Sequence, residues 1–144
     1  MKQNFNEFVD NLQKEIIKKE IKDHNKRIVD LFHNPYHFGR PPEDEITIVK
    51  EQKGGPNEYF LRLHLKIENH LITKAFYETD GCGVMIATGS QLILLIEGKS
   101  IEFAEKLKHK ELNEALMGVP FDEIHCIDLA IDTLKSLIEK YKQK

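Results

Sequence analysis

Tryptophan is absent, and only two of the 144 residues are cysteine. Two cysteines cannot build the multi-bridge framework that stabilises small secreted domains, so the fold has to rest on a hydrophobic core. A 40% hydrophobic composition supplies enough apolar surface for one compact domain with room for an added helix. An excess of positive charge is also missing. The 21 basic residues are outnumbered by 24 acidic ones, for a net charge of -3, which leaves no footprint for a nucleic-acid backbone and points to proteins or small ions as partners. No long apolar run is present either. The richest stretch, Val84 to Ile96, falls short of the roughly 20 residues that cross a bilayer. The opening Met1-Lys2-Gln3-Asn4-Phe5-Asn6-Glu7 lacks the apolar centre of a secretory signal, so a cytoplasmic protein with no membrane contact is expected. Pairing of the two cysteines stays open at this point, alongside free, metal-bound and redox-active thiols.

What is present has clear periodicity. Phe5, Phe8, Val9, Leu12 and Ile16 recur at helical spacing, which predicts an amphipathic extension over residues 1–23 ahead of a main domain over residues 24–144. That stripe would pack on the domain or, less favourably, support a homo-oligomer. A second helix carrying Ile28, Val29, Leu31 and Phe32 ends at Asn34-Pro35, and residues 34–45 read as a loop. Strand signals follow: a short run at Ile46 and Ile48, then Tyr59, Leu61, Leu63, Leu65 and Ile67 alternating with Phe60, Arg62, His64 and Lys66, then Leu71 to Thr79 after a tight connection at Glu68-Asn69-His70. Helices come next over Val84 to Ile96 and, after a Ser100 cap, over Ile101 to Lys108. A short turn near Leu112 precedes a C-terminal helix with the stripe Ile127, Ile131, Leu134, Ile138 and Tyr141. The class is α+β: a small antiparallel β-meander of about three strands packed against helices.

The chemistry concentrates at Gly81-Cys82-Gly83 and at His125-Cys126, each at the predicted start of a helix. Unpaired backbone N–H groups and the positive end of the helix dipole stabilise a thiolate there, the form that ligates metal or attacks sulfur. The flanking glycines remove bulk and permit unusual backbone angles. His125 adds a nitrogen ligand or a proton carrier. Against this, two cysteines without context are most often small buried hydrophobes, and His125 can be a hydrogen-bonded helix-start residue. His33 and His37 are four apart, but Pro35 between them breaks the helix that would align them, so both read as loop residues. Gly98-Lys99-Ser100 lacks the earlier glycine of a phosphate-binding loop and reads as a turn before a helix.

Taken in order, Asn34-Pro35 with Gly39, Gly81-Cys82-Gly83 with Ile86-Ala87, Gly98-Lys99-Ser100, and Ile124-His125-Cys126 with Leu129-Ala130 resemble the NifU/IscU-type scaffold family for iron-sulfur cluster assembly. The resemblance covers roughly residues 24–144 and implies the IscU/SufE-like fold. In that family three cysteines, an acidic residue near the first of them and a histidine surround the site where iron and sulfide are assembled. Cys82 matches the second cysteine, His125 the histidine and Cys126 the third. The first is missing: the corresponding stretch reads Gly54-Gly55-Pro56-Asn57-Glu58, where Glu58 is the best candidate for the acidic role and Asn57 the second. The span from Cys82 to Cys126 lacks the long insertion of the zinc-bearing SufU branch, so the likeness is closer to IscU. Glu123, in Val119-Pro120-Phe121-Asp122-Glu123, stands where the family has a lysine in its chaperone-binding segment, which argues against an Hsp70-type chaperone partner.

The resemblance therefore implies a non-enzymatic scaffold or sulfur acceptor. Cys82, Cys126, His125 and Glu58 would hold iron or a transient two-iron cluster of the 2Fe-2S type, with zinc as the alternative metal. A cysteine desulfurase would supply sulfur, with Cys126 the preferred acceptor ahead of Cys82, and iron-sulfur recipient proteins would take the product. The competing expectation is a degenerate paralogue that binds the desulfurase as an adaptor or regulator without a cluster. A Cys-His hydrolase is disfavoured, because no oxyanion-binding arrangement or third orienting group is identifiable.

Overall fold

A computed structural model of the protein describes residues 25–144. The helix expected over residues 1–23 lies outside the described residues. The first element among the described residues, α1 (Lys26–His33), starts at Asn25, whose side chain accepts a 2.9 Å hydrogen bond from Ile28 N. The amide of the same side chain donates to the carbonyls of Leu116 (2.8 Å) and Gly118 (2.7 Å), so one residue both caps the helix and ties it to a distant turn. The helix stops at Asn34, ahead of Pro35.

Three strands, β1 (Ile48–Gly54), β2 (Tyr59–Glu68) and β3 (Leu71–Thr79), form one antiparallel sheet in the order β1-β2-β3. Leu61, Leu63 and Leu65 of β2 are fully buried, as their period of two predicts. The β2–β3 connection turns through Asn69 and His70, both in the left-handed region at φ 53° and 63°, the geometry of a tight primed hairpin turn. β1 is longer than the short run predicted around Ile46 and Ile48. Its charged half, Lys50 to Lys53, is held by ladder pairing that runs in register from Ile48↔Leu65 to Gly54↔Tyr59, so hydrogen bonding to a strong partner overrides a weak apolar pattern. Both sheet edges are protected. Residues 37–39 and 98–100 pair with the outer edge of β3, through Gly39 N to Tyr77 O and Ile72 N to Lys99 O, both 2.8 Å. On the β1 side Lys140 Nζ donates to Val49 O at 2.9 Å, which blunts that edge.

Four helices follow: α2 (Gly83–Ile96), α3 (Ile101–Lys106), α4 (His109–Ala115) and α5 (Ile124–Lys142). α2 is buried along nearly its whole length, which explains its lack of a polar face. Gly89 is obligatory within it: a Cβ there would lie 2.4 Å from the Tyr77 ring, whose hydroxyl bonds Ser90 Oγ at 2.6 Å. Ser100 caps α3 through Phe103 N, as predicted. α4 is a full helix where only a short turn was expected near Leu112. Glu111 accepts from Lys108 N at 3.2 Å and buried Leu112 anchors the segment, so capping and packing extend a weak local signal. α5 buries Ile127, Ile131, Leu134 and Ile138 as the stripe predicts. Among the described residues no helix is long and apolar enough to cross a membrane. The connectivity brings the β1–β2 turn, the start of α2 and the start of α5 to one end of the molecule.

Candidate functional site

Cys82 is the N-cap of α2, with extended backbone, and is half-buried. Its glycine neighbours serve space rather than unusual torsions, since neither is in the left-handed region. A Cβ at Gly81 would meet Met85 Cβ at 2.6 Å and one at Gly83 would meet the Phe32 ring at 2.1 Å. Thr79 and Asp80 fix the approach: Thr79 Oγ1 accepts from Gly81 N at 3.1 Å, and Asp80 Oδ1 accepts from Phe60 N at 2.8 Å. The thiol thus projects from a tight turn against the first backbone N–H groups of α2.

Cys126 stands in the first turn of α5 and is fully buried. Glu123 closes the short 3-10 turn Phe121–Glu123 just before it, and the two lie three positions apart, so their side chains share one face. The ligand atoms of Cys82, Glu123 and Cys126 all lie within 4.8 Å of one another. Glu123 Oε2 lies 3.9 Å from Cys82 Sγ and 3.7 Å from Cys126 Sγ. His125 joins from the side, its Nε2 3.7 Å from the same oxygen. Its ring lies over Gly55, where a Cβ would approach to 2.5 Å, so the β1–β2 turn has no side chain at that point because the imidazole occupies the space.

The two thiols share a proton unequally. Cys126 donates to Cys82 and holds its pKa down to about 6; burial opposes this, the Met85 N–H assists, the Glu123 charge opposes, and the Val84 N–H assists. The same contact raises the pKa of Cys126, and burial and the Glu123 charge push it in the same direction, so Cys126 stays a protonated thiol. The pair is best described as one thiolate and one thiol in contact. Beside it a cavity of about 170 Å³ opens between α1 and the start of α2, walled by Ile28, Val29, Phe32 and Val84, with Cys82 and Glu123 on its lining.

Of the four ligands the sequence singled out, the structure brings Cys82 and Cys126 together and sets His125 against their acidic neighbour. Glu58 lies on the exposed β1–β2 turn at φ 50° and is not among the residues whose ligand atoms converge. Asn57 beside it bonds Tyr59 Oη at 3.1 Å. The converging acid is Glu123, which sequence reasoning weighed only as a replacement for a lysine. Its three-residue spacing to Cys126 at a helix start was the available signal. His33 ends α1, and His37 stacks between Tyr36 and Phe76 and bonds Glu97 Oε2 at 2.9 Å, so neither joins the thiols. Gly98, at φ 82°, makes the turn that leads to the Ser100 cap.

Residues 23–144 match the family described as the NifU-like N terminal domain. The chain is 33% identical over 125 residues to the iron-sulfur cluster assembly scaffold protein IscU of Aquifex aeolicus, covering 85% of this chain and 78% of that protein. It is likewise 33% identical over 123 residues to the IscU scaffold of Buchnera aphidicola, covering 84% of this chain and 96% of the relative. Among solved structures, the N-terminal part of a NifU-like protein from Brucella abortus superposes with a TM-score of 0.63 at 18% identity, over 86% of this chain and 97% of that one. At that identity the likeness speaks for the fold.

Proposed function

The chain belongs to the NifU-like N-terminal domain family, and we propose that it is an iron-sulfur cluster assembly scaffold whose cargo, iron or a transient cluster, is held by Cys82 and Cys126 with Glu123 and His125 as the oxygen and nitrogen donors. The observation that carries this reading is the meeting of both cysteines of the chain with one carboxylate, all within 4.8 Å, at helix starts. The relatives' description as iron-sulfur cluster assembly scaffolds supports the same assignment.

The donor chemistry fits the cargo. Thiolate sulfur dominates cluster ligation, and an imidazole and a carboxylate are accepted where thiols are few. Cys82 would ligate as a thiolate, and Cys126 would release its proton to solvent on ligating the metal. Glu123, already placed on both sulfurs, takes the acidic role that Glu58 was expected to fill. Two sulfurs, one nitrogen and one oxygen also make a tetrahedral set for zinc, so zinc is the competing metal. The role is one of binding and transfer, with a cysteine desulfurase as sulfur source and iron-sulfur proteins as recipients. Glu123 in place of a lysine speaks against an Hsp70-type partner.

The test is anaerobic reconstitution of the purified protein with iron, sulfide and reductant, followed by removal of unbound material and assay of iron and acid-labile sulfide together. Comparable amounts of both, lost in Cys82→Ser and in Cys126→Ser, are the expected result. Desulfurase binding that survives loss of both thiols, with no iron or sulfide retained, would favour the adaptor reading, for which the missing first cysteine is the specific support.

A further inference from the structure

Both cysteines of the chain are at this site, and they are not equivalent. Cys82 lines the cavity between α1 and α2 and is reachable from it, whereas Cys126 is fully buried behind it. Resting on the reading of the protein as a sulfur-accepting scaffold, we propose that the metal-free pair performs a reductive release of sulfide: Cys82 accepts a sulfane sulfur from a persulfide, and Cys126 then expels that sulfur as sulfide by closing a Cys82–Cys126 disulfide.

The first step is thiol exchange. The Cys82 thiolate attacks the terminal sulfur of the donor R–S–SH, the donor S–S bond breaks, and R–S⁻ leaves, so that Cys82 carries –S–SH. No electrons are gained or lost overall, and the transferred sulfur remains at the oxidation level of elemental sulfur. Cluster assembly needs sulfide, two electrons lower. In the second step Cys126 Sγ attacks Cys82 Sγ, the Cys82–sulfane bond breaks, and the sulfur departs as hydrogen sulfide with the persulfide proton and the Cys126 proton. The two thiols supply both electrons and end as a disulfide, so each protein releases a single sulfide until an external dithiol reduces it again.

Three features of the site serve this sequence. The sulfurs are already within 4.8 Å, and Cys82 is the N-cap of α2, its carbonyl accepting the first helical bond from Ile86 N at 3.0 Å while its backbone is extended, so reaching the disulfide length of about 2.05 Å asks for rotation at one half-buried helix-start residue rather than a rearranged core. Glu123 Oε2 touches both sulfurs, 3.7 and 3.9 Å away, and bridges the path of the Cys126 proton to the leaving sulfur. The order of events is set by access and reverses the preference for Cys126 as acceptor expected from the sequence: a donor entering the cavity meets Cys82, while Cys126, at 0% exposure, is open only to its neighbour.

The experiment uses the full chain, pre-reduced, metal-free and anaerobic, treated with a single equivalent of cysteine persulfide. It follows intact mass, released sulfide and non-reducing peptide maps, against a control without protein. The expected course is a one-sulfur adduct mapping to Cys82, then its loss with matching sulfide release and a Cys82–Cys126 linkage. Cys126→Ser should stop at the adduct with no sulfide above the control, and Cys82→Ser should form no adduct. A stable persulfide on Cys82 of the unaltered protein would overturn the release step while leaving sulfur acceptance intact. An adduct on Cys126, or sulfide release without the linkage, would overturn the assigned order. No adduct at either cysteine would overturn sulfur acceptance and this inference together. Mapping the unaltered protein makes the result independent of how well either variant folds.

Discussion

Single side chains set both the charge and the space around the thiols. Glu123→Gln keeps the shape of the side chain and removes its charge, so if the carboxylate is a metal donor, zinc affinity should fall at least about tenfold, or ~1.4 kcal/mol. Competition against a chromophoric chelator measures this, and an unchanged affinity would move the oxygen donor elsewhere. The two glycines beside Cys82 answer a different question. At Gly81 a methyl group would press on Met85 Cβ, which is fixed to the α2 backbone, whereas at Gly83 it would press on the ring of Phe32, which is 38% exposed and can swing outward. Gly81→Ala should therefore cost about 1–3 kcal/mol of stability and Gly83→Ala clearly less, as read from urea midpoints. Equal losses would show that Phe32 is not free to yield. These residues also mark what was legible in the sequence. The thiols and His125 announce themselves by residue type and by glycine context. Glu123 is one of 24 acidic residues, and only the three-dimensional meeting of α2 with the turn before α5 distinguishes it.

At the level of elements, the sheet carries its own pH sensor. His64 lies on the nominally polar face of β2, yet it is buried between its ladder partners Val49 and Phe76, with Nε2 2.7 Å from Glu78 Oε1 and Nδ1 without a hydrogen-bond partner. Burial lowers its pKa below 6.5, outweighing the pull of Glu78, because protonation would place a charged N–H where nothing receives it. The Glu78 carboxyl is itself held below 4.5: burial would raise it, but hydrogen bonds from His64 and Arg62 prevail. Both signs run the same way. The unfolded chain binds more protons than the fold, first at His64 as pH drops below 6.5 and then at Glu78 below 4.5, so stability falls in two stages on acidification. Thermal melts across that range should show the decline, and His64→Gln should flatten the upper stage, while a lower stage persists through the Arg62 hydrogen bond to Glu78. A variant with the same slope near pH 6 would remove His64 as the cause. The strands and the C-terminal helix were legible because their apolar periods of two and 3.6 are strong. The length of β1 and the existence of α4 were not, since ladder pairing comes from a distant strand and the Glu111 cap from a polar contact that an apolar pattern does not register. The burial of His64, one of the alternating polar positions, was not legible either: alternation tells which side of a strand a residue takes, not what covers that side.

Across the whole molecule, the site lies where three otherwise separate parts of the chain converge. Cys82 begins α2, Glu123 and Cys126 begin α5, and the ring of His125 closes on Gly55 of the β1–β2 turn. A metal ion held by these side chains would cross-link helices that the core already packs, and would do so only in the folded state, because an unfolded chain scatters its donors. Binding must then stabilise the entire domain and not only the end that carries the site. At a free zinc concentration about 100 times the dissociation constant the gain is about 2.7 kcal/mol, which for a domain of this size corresponds to a rise of roughly 5–10 °C in the melting temperature. Cys126→Ser should melt without this rise, and a chelator should reverse it in the unaltered protein. Hydrogen exchange would separate the global effect from a local one. Slower exchange in the far half of β2, from Leu63 to Ile67, is required if metal binding is linked to global unfolding. Protection confined to the first turns of α2 and α5 would mean that this end opens independently, and that metal holds the two helix starts together without securing the sheet behind them.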